Sequence, residues 1–316
     1  MRRVCHWLIV VVIVVVIVVV IVVVIVVVIV VGRYVCVPIG RPTTTTSTIP
    51  RKSQCRTPLA QLAAIKETPM SLHDQLAVFG GPMAAPKGTY RKWPPVDETD
   101  REKVLASLMG ENHAFGPNCS AFQTEFAAWC GTRHAIFTNS GTAALHMAVA
   151  ACGVGAGDHV LVPAYSWSSS ATCIIHHNAI PVFVDIDFGT INIDVSKIEA
   201  ALTPRTKAII VVHLHGLAVN MDRVMNLARR RNLKVIEDAC QSHGALFRGR
   251  KVGTFGDCAA FSFNQNKCLC SGEGGMFVTN DDELRRRAVQ VWNFGETATP
   301  AESRDYHAYA LGWMYR

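Results

Sequence analysis

Acidic residues are almost missing from the first 69 positions of this 316-residue chain, where Glu67 stands alone against eight Lys and Arg. That segment carries the whole formal charge of +7, and the 23 basic and 23 acidic residues after it balance. The basic pI therefore gives no reason to expect a nucleic-acid surface on the remainder. The 11 cysteines lack framework spacing, and Cys152, Cys173 and Cys258 sit inside apolar segments. Free thiols in a reducing, cytoplasmic compartment are the expectation. Cys268 and Cys270 form a Cys-x-Cys. No second Cys/His pair at metal-ligand spacing accompanies them, so no zinc site is expected. A dinucleotide fingerprint is wanting too. Asn139-Ser140-Gly141-Thr142-Ala143-Ala144 is not G-x-G-x-x-G, and Asp185 and Asp187 follow a different strand, which disfavours a nucleotide-binding Rossmann domain.

Variety is absent from Leu8 to Val31, where every residue is Leu, Ile or Val. At ~1.5 Å per residue, a helix over this run would span a bilayer. It has no small-residue cleavage site and is too uniform for an ordinary signal peptide. Arg41–Thr57, rich in Thr, Ser, Pro and Arg, reads as linker or unselected sequence. We expect native protein to begin near Met70, with residues 1–69 an extension from a mis-assigned start. The alternative is a membrane anchor at 8–31.

From Met70 onward the pattern is that of an α/β protein. Helical spacing covers Asp97–Met109 and Ser120–Cys130. Strands are then expected at His134–Thr138, His159–Val162, Pro181–Val184, Lys207–Val212, Leu233–Ile236, Cys258–Phe263 and Gly275–Thr279. Helices are expected between or after them at Thr142–Cys152, Ser168–His177, Val195–Leu202, Met221–Arg231 and Asp281–Val291. Such alternation implies a mostly parallel sheet in a three-layer αβα sandwich. Ligands then gather at the carboxyl ends of the strands.

Four strand ends carry suitable chemistry. Ser140-Gly141-Thr142 opens a helix, which fits a phosphate or a plain N-cap. Tyr165 and Trp167 follow the next strand and could cover a flat ring or pack in the core. Glu237 and Asp238 follow a buried strand and need partners there, whether a protonated ring nitrogen, a cap or a salt bridge. Lys267 lies in a polar turn before Gly272, Gly274 and Gly275, where a solvated surface charge is the ordinary reading. Their order along the chain favours the cofactor pyridoxal 5'-phosphate (PLP), which needs a lysine, an aspartate, an aromatic and a phosphate cradle.

The segments NSGTAALHMA, PAYSWSSSATCI, PVFVDID, VIEDACQSHGA, GTFGDCAAFSFNQNK and GEGGMFVTNDDEL, in this order, resemble the DegT/StrS-type aminotransferases. These are fold-type I PLP enzymes acting on keto-sugars and keto-cyclitols. LAVFGGP and KWPPV look most like the branch that aminates scyllo-inosose. The resemblance implies that Lys267 holds the cofactor covalently and Asp238 pairs with its ring nitrogen. It implies that Gln241 meets the ring hydroxyl side and Trp167 stacks on the ring. Gly141, Thr142, Ala143 and Ser262 would hold the phosphate. Lysine at 267, where related dehydratases have histidine, favours transamination from Glu or Gln. The resemblance also implies a homodimer and a smaller C-terminal domain, on the order of one hundred residues, beyond Arg316. Met314 stands where the family motif has an Asn that reaches the neighbouring subunit's phosphate. An inactive remnant of the fold, membrane-tethered if 8–31 spans, is the alternative that the short C-terminus leaves open.

Overall fold

A computed structural model describes residues 83, 85, 88–110, 115–297 and 306–316. The apolar run at 8–31 and the expected start near Met70 lie outside them. Among the described residues no helix is long and apolar enough to cross a membrane. All the elements below lie in one unit, Ala85–Arg316.

Seven strands form the main sheet: β1 (His134–Thr138), β2 (His159–Pro163), β3 (Ile180–Val184), β4 (Thr206–Val212), β5 (Lys234–Asp238), β8 (Cys258–Ser262) and β9 (Gly275–Thr279). Their order is β1-β9-β8-β5-β4-β2-β3. Only β9 runs against the rest, pairing antiparallel with both β1 and β8. The strands from β8 to β3 are parallel throughout. A small hairpin of β6 (Leu246–Phe247) and β7 (Arg250–Lys251) stands apart and was not expected from the sequence.

The helices are α1 (Glu98–Leu108), α2 (Pro117–Cys130), α3 (Gly141–Ala151), α4 (Ser169–Ile175), α5 (Met221–Arg231) and α6 (Asp282–Trp292). Their starts are set locally. Asp97 and Asp100 exchange backbone hydrogen bonds at the head of α1, Asn220 accepts from Arg223 N–H, and Asp281 accepts from Glu283 and Leu284 N–H.

The core follows the two-residue period of the strands. In β4, Ala208, Ile210 and Val212 pack with α3, α4 and α6 residues such as Leu145, Ile174 and Val289. Ile209 and Val211 face the other way, onto Met221, Val224 and Leu227 of α5. Phe126 of α2 packs on Phe261 of β8 on that second side. Helices cover both faces, which makes the expected αβα sandwich.

Two expected elements differ. Val195–Leu202 is not a helix; only Glu199–Ala201 makes a single 3-10 turn. Asp194 gathers the chain around itself, accepting from Ser196 N–H and Oγ at 3.0 and 2.6 Å and from Lys197 N–H on its carbonyl. Leu202 has already left the helical region (ψ 140°) two residues before Pro204. The strand expected at Leu233–Ile236 runs on through Glu237 and Asp238. Both carboxylates have buried partners, so neither forces the strand to stop.

Candidate active site at the carboxyl ends of the strands

The sheet order brings the carboxyl ends of β1, β2, β4, β5 and β8 to one edge, where a cavity of about 770 Å³ opens. Gly141, Thr142, Trp167, Asp238, Gln241, Ser262 and Lys267 all border it. Ala143 does not. It is buried behind the first turn of α3, and its N–H donates to Ser140 Oγ at 3.1 Å. Ser140 is thus the N-cap. The first-turn amides of Gly141 and Thr142 have no acceptor within the helix, and the positive end of the helix dipole lies at the cavity.

Gly141 is required by close approach. A Cβ there would lie 2.6 Å from Ser262 Cβ and 3.0 Å from Cys240 Sγ. The bare backbone lets the end of β8 lie against the start of α3. The Ser262 hydroxyl and the α3 amides therefore border one corner of the cavity.

Asp238 is only 4% exposed. Ser170 Oγ donates to Oδ2 at 2.7 Å, and Cys240 N–H donates to Oδ1 at 3.2 Å. Ser166 Oγ lies 2.9 Å from Ser170 Oγ and extends the chain of hydroxyls. The preceding residue, Glu237, is fully buried and points to the other face of the strand. It accepts from His213 Nε2 at 2.9 Å and from Gly253, Phe255 and Gly256 N–H at 2.8, 2.6 and 2.6 Å. Burial raises the Glu237 carboxyl, but the His213 hydrogen bond and the backbone donors outweigh it and hold it below its ordinary value. His213 Nδ1 accepts from Val219 N–H at 3.1 Å, so its proton sits on Nε2, facing Glu237. Glu237 secures loops, while Asp238 borders the cavity.

Lys267 stands in a loop fixed at several points. Its own N–H donates to Asn264 O at 2.8 Å, Gln265 N–H to Gly272 O at 2.9 Å, and Asn264 Nδ2 to Glu273 at 2.6 Å. Trp93 Nε1 reaches Gln265 O at 2.9 Å from a distant part of the chain. Among the described residues the Lys267 ammonium has no hydrogen-bond or ion-pair partner. Its charge acts on the Cys240 thiol and the His243 ring.

Trp167 is 70% exposed. It is cavity wall and not core. Gln241 Oε1 accepts from His215 N–H at 3.1 Å. Met314 is 56% exposed and pairs through its backbone with Asn293. Beside it, Tyr315 O accepts from Asn139 N–H at 2.7 Å, and its hydroxyl meets His146 Nδ1.

Ser166, Ser169, Ser170, His215, Cys240 and Glu273 were not singled out from the sequence. The run Ser166-Trp167-Ser168-Ser169-Ser170 was a usable signal. Ser166 lies in the bend before the helix, which folds its hydroxyl back onto Ser170 in the first turn.

Residues 94–316 match the DegT/DnrJ/EryC1/StrS aminotransferase family. GDP-perosamine synthase of Caulobacter vibrioides is 52% identical over 224 residues, 71% of this chain and 59% of that protein. L-Glutamine:2-deoxy-scyllo-inosose aminotransferase of Streptoalloteichus tenebrarius is 49% identical over 207 residues, 62% of this chain and 49% of that protein. The crystal structure of an aminotransferase from Psychrobacter cryohalolentis superposes with a TM-score of 0.67 at 37% identity, covering 72% of this chain and 60% of that one. This chain therefore spans 49–60% of the length of these relatives. With the family model matched over residues 94–316 and a matching fold, the chain belongs to the DegT/DnrJ/EryC1/StrS aminotransferase family.

Proposed function

We propose that this chain carries the cofactor-binding domain of a PLP-dependent aminotransferase whose acceptor is a keto-cyclitol or a nucleotide-linked keto-sugar. The observation that carries the reading is the meeting of Lys267, Asp238 and the α3 amino end on one cavity, from segments far apart in sequence. The residues fit the group. A phosphate suits the corner of Gly141 and Thr142 amides and the Ser262 hydroxyl. A flat cationic ring suits the space between Trp167 and Asp238.

PLP supplies an electron sink for the substrate carbanion. Asp238, held by Ser170 and Cys240 N–H, keeps a proton on the ring nitrogen. Lys267 Nζ would hold the cofactor and would move the proton at the substrate carbon. Gln241, positioned by His215 N–H, would meet the ring hydroxyl side. Trp167 limits the ring's movement and shields one face from water. Glu or Gln is the proposed amino donor. A second copy of the chain is the proposed partner, and the cytoplasm the proposed compartment.

The test is PLP addition to the full chain, followed by the visible spectrum, borohydride reduction and a peptide map. The expected result is a reducible band and a PLP mass adduct on Lys267, absent in Lys267→Ala. An adduct on another lysine, or none, overturns the reading.

A further inference from the structure

Tyr315 has no role in the reading above, yet it grips the turn that aims the phosphate corner. Asn139 follows β1 and Ser140 caps α3, so the direction of the Gly141 and Thr142 amides is set there. Tyr315 O accepts from Asn139 N–H at 2.7 Å, and the Tyr315 hydroxyl meets His146 Nδ1 in the second turn of α3. The contact is backed by α6. Tyr315 N–H donates to Trp292 O at 3.1 Å, and Trp292 Nε1 donates to Phe137 O of β1 at 2.7 Å. The Trp313 and Tyr315 rings are stacked, 5° from parallel, and the His146 ring packs 4.7 Å from Trp313. Within the turn, Thr138 Oγ1 donates to Ser140 O at 2.9 Å.

We propose that Tyr315 is a positioning residue for the phosphate corner, holding the turn between β1 and α3 through its carbonyl and α3 itself through its hydroxyl. The proposal deepens the function proposed above and rests on its reading of that corner as a phosphate site. Free amides at a helix start bind an anion well only when they already point at it. β1 is an edge strand of the seven-stranded sheet, so its exit has a strand neighbour on one side only. Tyr315 supplies a backbone acceptor at that exit. Its hydroxyl then ties the same residue roughly two helical turns further on. Both partners of that second bond are neutral near pH 7. Burial, with His177 and His176, lowers the His146 ring to about 3, and burial raises the Tyr315 phenol. Nε2 of His146 is buried without a hydrogen-bond partner among the described residues, so Nδ1 makes the ring's one hydrogen bond.

The bond can be broken from either end. Tyr315→Phe removes the hydroxyl, and His146→Leu replaces the ring nitrogen with a methyl group. His146→Asn keeps a polar atom where Nδ1 stands, because the amide branches at the same carbon, and it can accept from or donate to the hydroxyl. Leucine suits a buried site at least as well as asparagine does, so a role in stability alone and a role in positioning predict opposite orders for the two His146 variants.

Hydrogen exchange and PLP titration of these three variants in the full chain test the proposal. Without cofactor, exchange at residues 139–143 is expected to quicken about fivefold in Tyr315→Phe and His146→Leu and to stay near the unaltered rate in His146→Asn, as the loss of one net hydrogen bond would give. Peptides from β4 and β5 are expected to keep their protection. PLP affinity is expected to follow the same order, about fivefold weaker in the first two variants. Unchanged exchange at 139–143 in a folded Tyr315→Phe overturns the proposal, and so does exchange that quickens equally in β4 and β5, which marks a general loosening. Quickened exchange at 139–143 with unchanged PLP affinity overturns the positioning role and leaves the proposed function standing. An unaltered chain that binds no PLP overturns the phosphate reading of the corner, and this proposal with it.

Discussion

Ser170 Oγ donates a 2.7 Å hydrogen bond to Asp238 Oδ2, so a helix that follows β2 fixes the carboxylate that ends β5. The two residues are 68 apart in sequence and both are buried. Ser170→Ala is expected to leave the fold intact and to weaken PLP binding about tenfold, since hydrogen bonds to charged groups contribute about 1.5–3 kcal/mol. An absorbance titration with PLP checks this. An unchanged affinity would show that Asp238 holds its position without Ser170.

Adjacent carboxylates on opposite faces of β5 should fail in opposite ways. Glu237→Gln places an amide NH₂ among four donors and is expected to cost about 3 kcal/mol of stability. Asp238→Asn is expected to cost about 1 kcal/mol or less while removing most PLP affinity. Urea unfolding and PLP titration of both variants separate the two roles. Equal stability loss in both would contradict the assignment.

Gly141→Ala puts a methyl group 2.6 Å from Ser262 Cβ. Ser262 Cβ is fixed to the backbone at the end of β8, whose Cα is itself 3.1 Å from the added methyl, so it cannot swing aside. A loss of about 1–3 kcal/mol is expected from overpacking, with weaker phosphate binding in the same variant. Thermal unfolding and a PLP titration measure the two effects.

His146 is 2% exposed, and burial together with His177 and His176 lowers it from 6.5 to about 3. Its folded pKa is depressed, so the folded state binds fewer protons there than the unfolded chain. The stability this gives is fully present above about pH 6.5 and is eroded as the pH falls toward 3. At 1.36 kcal/mol per pKa unit the loss reaches about 5 kcal/mol at most. His177 and His243 are also lowered and add in the same direction. His146→Leu is therefore expected to flatten, not abolish, the fall in urea midpoint between pH 7 and 4. Parallel curves for the two proteins would remove His146 from the account.

Much of the scaffold was legible in the sequence because its signals are local. Met221–Arg231 and Gly275–Thr279 lie where their patterns place them. The Ile- and Val-rich run of β4 marked a strand covered on both faces. Lys267 and Asp238 stood out through their order along the chain, since crossover connections bring successive strand ends to one edge, whereas Ser262 was named only through the family resemblance. Val195–Leu202 misled because its apolar spacing suits a helix, while Asp194 and Pro204 at its flanks favour turns. β5 was drawn too short because buried carboxylates look like a strand's end until their partners are known.

The sequence by itself determined the alternation of elements, the sites of the helix caps and the types of side chain available at each strand end. Only the tertiary structure decided that β9 turns against its neighbours, that Ala143 spends its N–H on Ser140, and that Trp167 borders a cavity. It showed through which contacts Asp238 at the cavity differs from Glu237 behind it. The physical reason is reach. Caps and periodicity act within a few residues, whereas a buried carboxylate is defined by donors that the fold brings from far along the chain. Ser170 reaches Asp238 in that way, and His213 reaches Glu237.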